Sequence, residues 1–107
     1  MKIVVDIHGM KDSQNGYESS GMSANITWED EPNDSLFSHQ CAGNWMGTFD
    51  WDTLSYPSFN YPNIAWGVSR VTDIMARWGN HEAFYGLQPV NEPWDLSDLD
   101  ILKSYYK

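Results

Sequence analysis

The sequence predicts an α/β unit: two parallel strands joined by a crossover that carries one helix. Three observations predict it. The run Lys2-Ile3-Val4-Val5-Asp6-Ile7-His8-Gly9 is rich in β-branched residues and ends in Asp, His and Gly. The run Tyr85–Val90 is also apolar and stops at Asn91-Glu92-Pro93-Trp94. Between them lies a segment with helical apolar spacing, and parallel strands need such a crossover. Both polar run-ends then fall on one edge of the sheet, where α/β folds present chemistry.

Taken in order, residues 1–8 form the first strand, with the pattern over 2–8. Alternation puts Ile3, Val5 and Ile7 on one face and Val4, Asp6 and His8 on the other, and a buried parallel strand is expected. Residues 9–65 keep no sustained period. They hold five glycines, Pro32, Pro57 and Pro62, nine of the aromatics, and Lys11 as their one Lys or Arg. So long a loop is functional or disordered, and its aromatic content argues against disorder. It is expected to be an ordered excursion over the edge that carries His8 and Glu92, with a short helix near 35–41.

Residues 65–78 predict a helix whose face is Val68, Val71, Ile74, Met75 and Trp78. Asp73 and Arg77 are spaced for an i,i+4 pair, and Gly79-Asn80 is a stop signal. Residues 84–92 predict the second strand, with Pro89 near its end or at a bulge. Residues 97–107 begin a further helix, with Ser97 as N-cap, Asp98 and Asp100 in the first turn, and Leu99, Leu102 and Tyr106 as its face. Two strands leave both sheet edges open, so the expectation is one piece of a larger α/β domain.

Composition narrows the function. The 107 residues suit one small domain. A net charge of −9 disfavours nucleic acid and anionic membranes, while a neutral sugar is compatible with it. Cys41 is the single cysteine, so no internal disulfide is expected. No signal peptide or membrane-length apolar run is visible. His81-Glu82 lacks a second His at helical spacing, and His39 with Cys41 is a lone pair, so no metal site is expected. Asn25 and Asn33 begin glycosylation sequons, and no oligomeric state is legible.

A glutamate at a strand end, flanked by Asn and Trp, suits acid/base work on a sugar. The plain alternative is that Asn-Glu-Pro starts a turn. Trp45, Trp51 and Trp94 are sugar platforms or scaffold packing. Asp50, Asp52 and Glu29-Asp30-Glu31 read as solvated charges or ligands to sugar hydroxyls.

His8-Gly9, then Ser13-Gln14-Asn15-Gly16, Ser20-Gly21, Arg77-Trp78-Gly79 and Asn91-Glu92-Pro93, in that order, resemble glycoside hydrolase family 5, in particular its exo-β-1,3-glucanase branch. The likeness runs over nearly the whole chain and is loosest over 25–60. Where the family loop carries Pro-Gly, this chain has Lys11-Asp12. The resemblance implies a (β/α)8 barrel, with this chain covering its third strand to the start of its fourth helix. It implies a retaining mechanism with two glutamates and no cofactor, acting on β-glucan outside the cell or at its surface. Glu92 would be the acid/base, and Asn91 would contact the hydroxyl beside the anomeric carbon. His8, Asn15 and Trp94 would belong to the substrate site. The nucleophile would come from the seventh strand, which these residues do not include, so the chain alone is expected to be inactive and unstable. Two other readings stay open: a non-catalytic carbohydrate-binding fragment, and a structural α/β domain in which Glu92 is a turn residue.

Overall fold

The computed structural model describes residues 1–16, 20, 44–94 and 96–107. The element order is β1 (Ile3–Asp6), α1 (Tyr61–Trp78), β2 (Phe84–Gln88) and α2 (Leu99–Tyr105). The strands pair in parallel, with Val4 opposite Gly86, Val5 opposite Leu87 and Asp6 opposite Gln88. Both are shorter than their apolar runs. Beyond them the Ile7 N–H donates to Gln88 O (3.0 Å), and Ile7 O accepts from the Asn91 N–H (3.1 Å). A regular parallel ladder would use residue 90 there, so one extra residue bulges out next to Pro89, which has no N–H to give.

Burial departs from the sequence expectation. Ile3 and Val4 are 45% and 58% exposed, and no atom lies within 4 Å of where a Cβ on Gly86 would sit. Alternation still holds: Val5 and Ile7 are half-buried, while Val4, Asp6 and His8 are exposed. Among the described residues, the strands contribute little to the core because no layer covers their N-terminal ends.

The core lies at the other end. Met10, Trp45, Met46, Val90 and Tyr105 are buried together, with Ile7, Tyr56, Phe59, Ile64, Val71, Ile101 and Leu102 packed around them. Trp45 meets Tyr105 edge-to-face at 5.1 Å and donates from Nε1 to Asn63 O (3.3 Å). Burying so much aromatic surface is the largest favourable contribution available to a fold this small.

Helix α1 begins four residues before the expected 65. Asn60 caps it, its Oδ1 accepting from the Asn63 N–H, and Pro62 sits in the first turn, where a missing N–H costs nothing. Its packed face is also shifted. Asn63 and Gly67 are buried and Ile64 and Val71 reach the core, whereas Val68, Met75 and Trp78 are 44–53% exposed. Gly67 has no side chain to show in an apolar pattern, yet its bareness admits Met10 and the Tyr105 ring. The ion pair on this helix joins Arg70 to Asp73 (3.1 Å), in place of Asp73 with Arg77. Gly79 ends the helix with right-handed φ, its N–H donating to Met75 O.

Helix α2 is capped by Asp98, not Ser97: the Asp98 carboxylate accepts from the Asp100 and Ile101 N–H groups. Its packed face is Ile101, Leu102 and Tyr105, while Leu99 and Tyr106 are 60% and 51% exposed. The described parts of the long loop are irregular, with a single antiparallel bridge from Asp50 to Ser55. The short helix expected near 35–41 lies outside the described residues.

Candidate active site at the strand ends

The parallel pairing brings His8 and Asn91-Glu92 to one edge, and the Ser13–Gly16 loop fastens them. Gln14 is 3% exposed, and its whole side-chain amide is used. Its Oε1 accepts from the Met10 N–H (3.0 Å), and its Nε2 donates to His8 O (3.0 Å) and Asn91 O (2.8 Å). Asn15, 2% exposed, donates from Nδ2 to Glu92 O (2.9 Å). Consecutive side-chain amides thus satisfy consecutive carbonyls, groups that are costly to leave unpaired near a core. The Trp94 N–H returns to Gln14 O (3.3 Å), closing the connection.

Local chemistry explains how this loop turns so tightly. Asp12 and Ser13 both have φ near +60°, and Gly16 has φ +77°. The Ser13 hydroxyl accepts from the Gly16 N–H (2.8 Å), as serine does in turns, and bonds the Ser20 hydroxyl. Asp12 then reaches α1, where its carboxylate accepts from Asn63 Nδ2 (2.7 Å). Asp12 O and Ser13 O accept from the Asn44 and Trp45 N–H groups. One short loop therefore joins both strand ends, the first turn of α1 and the segment that carries Trp45.

Glu92 is exposed and has φ +41°, an uncommon conformation for a residue with a Cβ. Among the described residues its carboxylate has no hydrogen bond or ion pair. Asn91 is half-buried beside it. His8 stands exposed on the same edge, and its Nδ1 lies 2.7 Å from the Asp6 carboxylate. A histidine held by a carboxylate presents its other ring nitrogen outward in a fixed orientation. The edge therefore offers a free carboxylate, an oriented imidazole and an amide, groups suited to proton transfer and to hydroxyl recognition.

The remaining sequence candidates fall elsewhere. Trp94 is 8% exposed and packs edge-on against Phe49 (4.8 Å) and Trp51 (5.6 Å), which leaves little face for a sugar. Trp45 is a core residue. The Asp50 carboxylate accepts from the Asp52 and Thr53 N–H groups and closes a turn, and bonds from the Thr53 side chain and these N–H groups lower its pKa. Glu29-Asp30-Glu31, His39, Cys41, Asn25 and Asn33 lie outside the described residues. No group of three His, Cys, Asp or Glu is placed to hold a metal among the described residues. A pocket of about 300 Å³ is lined by Asn44, Gly47, Thr48, Ser58, Phe59, Asn60 and Pro62, with no residue of the strand-end site.

Gln14 is the residue that sequence reasoning left out of the site. It carries no charge and sits in a loop, and only the three hydrogen bonds of its side-chain amide reveal it. The sequence signal was the unbroken polar tetrad itself, which the fold buries whole.

Compared with known proteins, the chain is 28% identical over 106 residues to glucan 1,3-beta-glucosidase 1 of Schizosaccharomyces pombe. The match takes in 98% of this chain and 19% of that protein, so the chain spans about a fifth of its relative's length. No family model matches, and no solved structure matches. The likeness supports a relationship to a glycosidase.

Proposed function

We propose that this chain is the acid/base portion of a retaining β-glucan hydrolase with a (β/α)8 catalytic domain of the family 5 type. It would run from the third strand to the start of the fourth helix. What carries the reading is one juxtaposition: His8 and Asn91-Glu92 share the C-terminal edge of a parallel pair, held there by the Ser13–Gly16 loop. The glucosidase similarity over 98% of the chain supports it. So do the exposed apolar residues Ile3, Val4 and Tyr85, because strands of a parallel barrel are covered on both faces.

The chemistry follows from a carboxyl pair. In the first step the Glu92 carboxyl gives its proton to the glycosidic oxygen as the bond to the anomeric carbon breaks. A second carboxylate, supplied from outside these 107 residues, bonds that carbon. In the second step the Glu92 carboxylate takes a proton from water, the water oxygen bonds the anomeric carbon, and the second carboxylate leaves. The two carboxyls of a retaining pair stand about 5–5.5 Å apart. Asn91 would hold the neighbouring hydroxyl and His8 a further one. Proton transfer of this kind contributes about 10²–10⁴-fold.

The test uses the natural protein that carries this sequence, with laminarin, a β-1,3-glucan, as substrate. It should hydrolyse laminarin with retention at the anomeric carbon, and Glu92→Gln should lower kcat/KM by about 10²–10⁴-fold. Azide should then rescue the variant on 2,4-dinitrophenyl β-glucoside, giving the β-glucosyl azide. Saturable laminarin binding without turnover, or turnover indifferent to Glu92→Gln, overturns the reading.

A further inference from the structure

We propose that Gln14 and Asn15 are positioning residues for the acid/base, a role that rests on the reading of Glu92 given above. Three observations carry it. The two amides bind the carbonyls of Asn91 and Glu92 at 2.8 and 2.9 Å, so they act on the backbone of the reacting residue itself. Glu92 adopts φ +41°, where an L-residue stays only when its surroundings hold it. Finally, both amides are at least 97% buried, so they are withdrawn from a sugar in the cleft and committed to the protein.

Fixing one backbone carbonyl fixes the peptide plane, and the peptide plane sets the direction in which the Cα–Cβ bond leaves. An acid that must meet one oxygen of the substrate gains from that restriction, because a displacement of about 1 Å costs on the order of 10²-fold. Asn15 restrains the peptide that follows Glu92, and Gln14 the one that precedes it. Gln14 also spans to His8 O, so the two strand ends are held in one register. A shift in the loop would move His8 and Glu92 relative to one another.

The role differs from sugar binding and from bulk stability in what it predicts. The experiment compares laminaribiose, whose departing sugar needs a proton, with 2,4-dinitrophenyl β-glucoside, whose leaving group does not. In the natural protein, Asn15→Ala should lower kcat on laminaribiose about 10- to 100-fold with KM little changed. Bond cleavage in the dinitrophenyl substrate should fall by less than about threefold. Gln14→Ala should behave alike, and Gln14→Glu, which keeps one acceptor and loses the donor pair, should not rescue it. The pH–rate profile of Asn15→Ala should lose the sharpness of its acid-requiring limb on laminaribiose alone. Thermal unfolding checks each variant for folding, and Asn15→Asp, close in shape but without the donor, serves if Ala fails to fold.

Equal loss on both substrates shows a general structural role and overturns the proposal. A raised KM with kcat unchanged assigns Asn15 to the sugar and also overturns it. If Glu92→Gln itself leaves laminaribiose hydrolysis intact, the acid/base reading fails first. If Glu92→Gln abolishes hydrolysis while the Gln14 and Asn15 variants act like wild type, only the positioning role fails.

Discussion

The two ends of the same parallel strand pair are built on opposite terms. At the N-terminal end Ile3, Val4 and Tyr85 are 45%, 58% and 75% exposed, although their sequence is that of a buried strand. At the C-terminal end Val90 is 1% exposed, and Trp45, Met46 and the Ser13–Gly16 loop are buried with it. Packing in this molecule therefore follows the loops and not the strands. The end that carries His8 and Glu92 is also the end that the chain holds together by itself.

That contrast predicts a large asymmetry in mutational cost. Trp45→Ala should destabilise the chain by about 3–5 kcal/mol, because removing a 1% exposed indole leaves a cavity in the core. In the 107-residue chain by itself, Val4→Thr should stay within about 0.5 kcal/mol, as exposed positions do. Urea unfolding of the two variants measures the difference directly. An equally costly Val4→Thr would mean that something covers the sheet face in solution, and light scattering would show whether that is a second copy.

Alkaline pH probes the packed end alone. Tyr105 and Tyr56 both belong to it, and burial pushes each pKa up to about 12, with the Asp98 charge adding to Tyr56 and Tyr106 adding to Tyr105. Tyr105 also donates to Pro89 O (2.8 Å). An unfolded tyrosine titrates near 10, so across this window the folded state holds protons that the unfolded state has lost. Their contribution to stability is complete below about pH 10 and disappears as pH rises through about 12. Absorbance at 295 nm should show two tyrosines ionising late, together with unfolding. Titration of every tyrosine near pH 10 with the fold intact would mean that the packed end is more open than described.

The order of the elements was legible in the sequence, whereas the unequal burial of the two strand ends was not. The strand–loop–helix–strand–helix order follows from periodicity, and so does the placing of His8 and Glu92 on one edge. Helix starts were misplaced where the cap lay in a segment read as loop, at Asn60, and where the capping residue, Asp98, was read as a first-turn acid behind Ser97. The face of α1 was displaced because Asn63 and Gly67 are buried without being apolar. Polar burial leaves no periodic trace. For the same reason the motif Ser13-Gln14-Asn15-Gly16 could be recognised, but its use as a fastening between strand ends could not.

The finest test of the comparison separates what the packed end holds from what it strains. Glu92 keeps φ +41° although only glycine occupies that region without cost. The conformation is held by the Asn15 bond to Glu92 O and by the Gln14 bond to the carbonyl before it. Replacing Glu92 by glycine removes the steric cost of the Cβ and leaves both bonds in place. Unlike most substitutions by glycine, Glu92→Gly should therefore raise stability slightly, by about 0.5–1 kcal/mol after the added entropy of the unfolded chain is offset. Glu92→Ala keeps the Cβ and its strain and should show no gain, which isolates the backbone from the loss of the charge. A rise for glycine alone, read as a higher urea midpoint, would mean that stability is being given up to present a carboxylate at this edge. No rise would mean that the loop accommodates the left-handed residue without strain, and that the asymmetry between the two ends is one of packing only.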